Sequence, residues 1–215
     1  MSRHEFISFL RDRILQPLPG SEAQLRMAPL PLDERCSLPM APERRACVSR
    51  VMVLLCTMSD GRIDIVLTLR SESILHGGQI SFPGGRAEAG ERAVDTALRE
   101  TEEETGIRKQ KISVIGNISE LYVHRSNHMV TPVLGSYSGK PEFRINPEEV
   151  QEAFTIPLDA LVSEKHLAKE SWTLQDTLHE VPYWNIHHVP LWGATAMILS
   201  EILVLYGEYL KDRDG

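Results

Sequence analysis

"FPGGRAEAGERAVDTALRETEEETGI", residues 82–107, runs from a proline–glycine–glycine turn into a segment of helical period, expected as a helix near 91–104. Gly106 follows as a C′ glycine. At about 100° per residue, Glu103 and Glu104 fall roughly 60° and 40° to either side of Glu100. The three form one acidic stripe, and Val94, Ala97, Leu98, Thr101 and Thr105 gather on an adjoining face turned to the core. Like charges at this spacing cost only about 0.2–0.5 kcal/mol each, so repulsion alone does not demand a cation, and a solvated acidic face is one reading. The turn favours another. Gly84 and Gly85 permit an approach of backbone that a Cβ would block. A loop carbonyl beside helical carboxylates supplies oxygen ligands for a hard cation such as Mg²⁺, which points to metal-assisted phosphoryl chemistry.

The rest of the chain frames that stretch. Its 215 residues, 42% hydrophobic and 25% charged, suit one globular domain with decorations. The boundaries read as 1–45, an N-terminal helix and proline-rich loop packed on the domain, and 46–210, the domain itself. A net charge of −7 argues against sequence-independent binding to nucleic acid or to an anionic membrane. Cys36, Cys47 and Cys56 form no CxxC pair, as expected of reduced thiols in a cytoplasmic protein. The opening "MSRHEFISFLRDR" lacks a secretory apolar region. Glu201 and Glu208 interrupt "VPLWGATAMILSEILVLYGEYL" at amphipathic spacing, so this apolar stretch reads as a helix with a buried face.

Ser2 and Glu5 have capping-box spacing, and residues 2–16 have a helical period. Residues 17–45 read as loop or linker. "CVSRVMVLLC" (47–56) and "RIDIVLTLR" (62–70) read as strands joined by a hairpin at "TMSDG". "KISVIGNISELYV" (111–123) and "MVTPVLGSY" (129–137) are strand-like. "NPEEVQEAFTIPLDALV" (146–162) reads as a strand between a loop and a helical turn. Strands near 170–174 and 182–188 precede a long helix at about 191–210. Strands on both sides of an early helix predict a mixed α/β or α+β fold.

The stretch resembles the Nudix box, G-x5-E-x7-R-E-U-x-E-E-x-G-U, with U bulky and apolar. Gly85, Glu91, Arg99, Glu100, Glu103, Glu104, Gly106 and Ile107 fall in place, and Thr101 stands where an apolar residue is expected. The resemblance implies an α/β/α sandwich around a mixed sheet and hydrolysis of a nucleoside diphosphate linked to a further moiety. It implies that the Gly84 carbonyl, Glu100, Glu103 and Glu104 hold Mg²⁺ or Mn²⁺. Glu91 would be structural, and Arg99 would orient a metal-binding glutamate, Glu103. A second resemblance, over most of 46–206, is to the Nudix coenzyme A diphosphatases. It is carried by "VLTLRSESILHGGQISFPGG" (66–85), "MVTPVLG" (129–135), "EEVQEAFTIPLDAL" (148–161) and "VPLWGATAMIL" (189–199). It implies cleavage of CoA to 3′,5′-ADP and 4′-phosphopantetheine. The pattern departs at Ile74, where that subfamily has an arginine, and the span from Arg70 to His76 is one residue short.

Other residues follow from these readings. Arg70, His76, Gln79 and Gly85 are candidate substrate contacts. Glu149 and Glu152 lie where Nudix enzymes place a further carboxylate. Glu100, Glu149 and Glu152 all remain candidates for taking the proton of the attacking water. His187, His188, Trp184 and Trp192 read as structural, and Ser71, Ser73 and Ser81 lack a triad context. The expected partner is a small nucleotide, with no nucleic acid and no membrane; a homodimer is left open. ADP-ribose is the alternative substrate. A non-catalytic ligand-sensing domain is the alternative class, and the retained glutamates speak against it.

Overall fold

A computed structural model describes residues 5–32, 46–74 and 76–214. Ser2, Cys36 and the end of the expected linker lie outside them. The chain begins with α1 (Glu5–Arg13), α2 (Gly20–Gln24), a 3₁₀ turn at Leu25–Met27 and the short β1 (Leu30–Pro31). Residues 20–31, expected as loop, are thus partly ordered elements. They had no apolar period of their own because a single turn of helix is too short to show one.

The main sheet is built from β2 (Cys47–Thr57), β3 (Ile63–Arg70), β4 (Ile80–Ser81) and β5 (Gly84–Arg86). After α3 (Ala93–Thr105) come β6 (Ser113–Asn117), β7 (Leu121–Val123), β8 (His128–Ser138) and β9 (Val150–Pro157). The segment 111–123, read as one strand, is two. β2 and β8 run parallel over their full length, from Cys47↔His128 to Thr57↔Ser138. The other pairs in the sheet are antiparallel, so it is mixed. Helix α4 (Leu158–Val162) leads to β10 (Leu167–Leu174) and β11 (Thr177–Trp184), which form a second sheet with β1. Helix α5 (Gly193–Asp214) closes the chain.

Alternation along β2 makes the layers. Met52, Leu54 and Cys56 face α3, packing with Ala97, Ile107 and Val133. Val53 and Leu55 face the other way, onto a larger core with Phe6 and Leu10 of α1 and Ile198, Leu199, Ile202 and Leu205 of α5. Successive side chains of a strand point to opposite faces, so a run apolar at every position needs cover on both. The result is the α/β/α sandwich that the resemblance implies. α5 is long and apolar enough to cross a membrane by length and hydropathy, yet this face of it lies in the core. Its Glu201, read as part of the polar side, is fully buried. It accepts hydrogen bonds from Gly20 N (3.1 Å), Gln24 Nε2 (3.1 Å) and Ser119 Oγ (2.6 Å).

One irregularity positions the site. β2 and β3 pair only from Leu55↔Ile65 to Thr57↔Ile63, and then diverge. Two short strands fill the gap. β4 continues along β3 through Thr68↔Ser81 and Leu69↔Ile80, and β5 continues along β2 through Val51↔Gly84 and Ser49↔Arg86. Between them Pro83 O accepts from Met52 N at 2.8 Å.

Candidate active site

The glycine turn is shaped by what surrounds it. A Cβ on Gly84 would lie 2.3 Å from Arg50 O and 2.6 Å from Val51 Cα. A Cβ on Gly85 would lie 2.5 Å from the Glu100 carboxylate. Both positions need a bare backbone, the first to pair with β2 and the second to admit a side chain of α3. Gly84 N donates to Glu104 Oε2 at 3.1 Å.

Helix α3 does not present one uniform stripe. Glu104 is buried at 3% exposure, Glu100 is mostly buried, and Glu103 has a side chain 52% exposed. Glu100, Glu104 and Glu149 offer oxygens that all lie within 4.8 Å of one another. Burial, with the added repulsion of Glu100 and Glu149, pushes the Glu104 carboxyl up to about 8, against the pull of the Gly84 N–H and of Arg70. Burial likewise raises Glu100, although Arg99 opposes the shift. Three carboxyl groups this close repel one another when ionised. Their donor set is all hard oxygen, which suits a divalent cation of the Mg²⁺ class over a soft one.

Arg99 is the clamp beneath the cluster. Its Nε and Nη2 donate to the two oxygens of Glu91 at 3.0 and 3.2 Å. Its Nη1 is shared by Glu100 and Glu103, each at 2.9 Å. Arg99 was expected to orient Glu103; it holds Glu100 and Glu91 as well. Glu91 also accepts from Glu88 N and Thr96 Oγ1. The Arg99 guanidinium, then these two donors, hold its carboxyl down to about 2. Thr101 is fully buried and donates to Ala97 O at 2.6 Å, so it faces the core as its place on the wheel predicts.

The carboxylates open into a cleft of about 990 Å³. Arg70, His76, Gln79, Gly84, Gly85, Glu100, Glu104 and Glu149 all line it. Arg70 ends β3 at a β-bulge, and its N–H donates to Gln79 O at 3.0 Å. His76, at φ 59°, is lowered by burial and by Arg70 and His128. Glu152 is not among the lining residues. It stands on β9 two positions before Phe154, whose side chain packs into the α5-side core, so Glu152 shares that face, opposite α3. There its Oε2 lies 3.3 Å from His187 Nε2, and the His187 ring stacks on Phe154 at 4.6 Å. Glu152, His187 and His188 form a second group with ligand atoms within 4.8 Å. Val189 N donates to His187 Nδ1, however, which leaves the ring proton on Nε2, pointed at Glu152. The Glu152–His187 pair anchors this loop.

Trp184 is buried, donating to Leu161 O at 3.1 Å. Trp192 lines the cleft, edge-on to Trp172 at 5.2 Å. Residues not singled out from sequence also line it, above all Tyr122, His124, Arg125, His128 and His179. They come from the β7–β8 hairpin and from β11, distant in sequence from the glutamate motif, and no spacing linked them to it.

A family model described as the NUDIX domain matches residues 48–177. Nudix hydrolase 3 of Caenorhabditis elegans is 33% identical over 172 residues, 72% of this chain and 71% of that protein. The Nudix hydrolase NudL of Photorhabdus laumondii is 33% identical over 169 residues, 77% of this chain and 89% of that protein. Among solved structures, the Nudix hydrolase RenU of M. smegmatis has a TM-score of 0.54 at 16% identity, covering 76% of this chain and 87% of that one, a likeness of fold. With the domain matched over more than half its length and a carboxylate cleft formed by the matched residues, this chain belongs to the Nudix hydrolases, enzymes that act on phosphoanhydride bonds.

Proposed function

We propose that the chain is a coenzyme A diphosphatase, cleaving CoA or its thioesters to 3′,5′-ADP and 4′-phosphopantetheine or the acyl-phosphopantetheine. The observation that carries the reading is the gathering of Glu100, Glu104 and Glu149 beside Gly84 and Gly85 in one cleft with Arg70, His76 and Gln79. That cleft joins the diphosphate chemistry of the family to the segment 66–85, which resembles the CoA-specific subfamily.

Glu100, Glu104 and the Gly84 carbonyl would hold Mg²⁺ or Mn²⁺, with Glu103 at the rim through the Arg99 nitrogen it shares with Glu100. When bound, the ion neutralises the carboxylates and the diphosphate and stabilises charge on the transferring group. The chain's own residues do the rest. Arg99 keeps Glu100 and Glu103 from turning away from each other. The buried Gly84–Glu104 hydrogen bond fixes the loop to the helix. Arg70 lies at the end of a strand and directs its charge towards the diphosphate oxygens, where a guanidinium binds bidentately. Glu149 is our choice for the group that takes the proton of the attacking water, because it stands in the cluster and Glu152 is tied to His187.

The test is a substrate screen with CoA, acetyl-CoA, 3′-dephospho-CoA and ADP-ribose, with Mg²⁺, Mn²⁺ or chelator, and products identified by mass spectrometry. CoA should yield 3′,5′-ADP and 4′-phosphopantetheine in a metal-dependent reaction. Cleavage of ADP-ribose with neither CoA form touched overturns the substrate reading.

A further inference from the structure

The cleft has a second pole. Four of the chain's eight histidines line it, His76, His124, His128 and His179, together with Arg70 and Arg125. In a chain of net charge −7 such a gathering is not expected from composition. Its centre is the β7–β8 hairpin. Val123 pairs with His128, and the turn is closed by Ser126 N donating to Val123 O and Asn127 N to His124 O. Tyr122 Oη donates to Asn127 Oδ1 at 3.1 Å, and Asn127 takes the left-handed conformation at φ 51°. His124 and Arg125 stand at the head of this braced turn.

The imidazoles are oriented. His128 Nδ1 lies 2.8 Å from Ser126 O and His179 Nδ1 lies 2.9 Å from Thr177 O. A carbonyl only accepts, so both Nδ1 atoms carry hydrogen and each ring turns its Nε2 elsewhere. His179 is only 5% exposed, and its Nδ1 is taken up by Thr177 O. Among the described residues, the histidine ion pair with a carboxylate is that of His187 with Glu152, outside this cleft. His124 is lowered by burial, then by Arg125 and His179, and His76 by burial, then by Arg70 and His128. Glu120, the acidic side chain nearest in sequence that lines the cleft, is engaged by Thr131 Oγ1.

We propose that Arg125, with His124 and His179 beside it, forms a subsite for a phosphomonoester that the substrate carries apart from its diphosphate. The inference rests on the CoA reading above, in which that group is the 3′-phosphate of the nucleotide. A guanidinium suits a dianionic phosphate, and a neighbouring anion favours the charged, doubly donating form of each imidazole. The register fits. Arg86, Ser49, Val130 and Leu121 form one row across β5, β2, β8 and β7. That is three inter-strand steps, roughly 14 Å. Arg125 lies beyond the Leu121 end of that row, in the turn that follows Val123. The subsite also accounts for Ile74: the arginine missing from the segment before the box is replaced by one from a different hairpin.

The experiment compares the wild type with Arg125→Ala and Arg125→Lys by two readouts. The first is kcat/KM for CoA and for 3′-dephospho-CoA. The second is calorimetric affinity for 3′,5′-ADP and for AMP. Wild type should prefer the 3′-phosphorylated member of each pair. Arg125→Ala should reduce both preferences by roughly 10- to 100-fold, with its melting temperature unchanged and with partial recovery in Arg125→Lys. Equal wild-type affinity for 3′,5′-ADP and AMP, or a proportionate loss on both substrates in Arg125→Ala, overturns the subsite. If neither CoA form is cleaved but 3′,5′-ADP still binds over AMP through Arg125, the substrate reading fails and the subsite stands. If CoA is cleaved and the preference ignores Arg125, the subsite fails alone.

Discussion

Glu104 shows how one residue can carry a cost for a ligand. Its ordinary carboxyl value is 4.5, and the folded protein raises it to about 8. Between those values the folded chain holds a proton that the unfolded chain has released. Stability therefore falls as pH rises through this window. Metal-free protein should melt highest below about pH 4.5 as far as this group is concerned, and lowest above about pH 8. Glu104→Gln should flatten that slope; a wild-type slope retained in the variant would remove Glu104 as its cause. Divalent metal should restore stability most at the alkaline end, where no proton competes, as calorimetry across pH would read. Thr101 is the opposite case, a polar residue with no charge to place. Its hydroxyl already returns to the Ala97 carbonyl of its own helix. Thr101→Val should leave turnover unchanged and be neutral or mildly stabilising in thermal melts, because a hydroxyl that only back-bonds adds little to the fold.

At the scale of elements, the two glycines of β5 separate folding from chemistry. The Cβ of Gly84→Ala meets backbone atoms of Arg50 and Val51, which cannot yield without moving β2. That variant should lose about 1–3 kcal/mol of stability, as overpacking does. The nearest atoms to the Cβ of Gly85→Ala are the far end of the Glu100 side chain, which yields at the expense of its Arg99 contact. It should melt near the wild type but lose on the order of 10²-fold in turnover through the displaced carboxylate. Paired melts and steady-state kinetics check both. The loop and α3 were legible in the sequence because glycine spacing and a 3.6-residue period are local signals. The second sheet was harder. β10 and β11 are joined by Gln175 and Asp176, both at positive φ, in a two-residue turn normally marked by Asn-Gly or Asp-Gly. Without glycine the strands could be sensed but not bounded. Glu149 and Glu152 looked equivalent by spacing, and only a strand's alternation, with a bulge at its end, put one in the cleft and the other with His187.

For the whole molecule, the burial of Glu201 ties three distant segments together: α2, the turn before β7, and α5. Glu201→Leu would satisfy the helix's apolar pattern yet strand Gly20 N–H and the Ser119 hydroxyl without their acceptor and leave Gln24 Nε2 only the Ser119 carbonyl. A loss of about 2–4 kcal/mol is expected, a fall of roughly 5–15 °C in melting temperature, with Glu201→Gln milder. No periodicity could have announced this, since the partners lie about 180 and 80 residues away. The divergence of β2 and β3 has a last consequence. Where a sheet parts, a loop dropped into the gap would ordinarily be its weakest seam. Here β4 and β5 are laced into both flanks by main-chain bonds. The amides of Ser81, Phe82 and residues 84–86 should therefore exchange with deuterium as slowly as those of β2, surrendering their protons only when the entire domain opens. Fast exchange there, with β2 still protected, would show the loop breathing alone. If the seam holds, the enzyme's working part cannot be loosened without unmaking the protein, and heat should extinguish activity and structure at a single temperature.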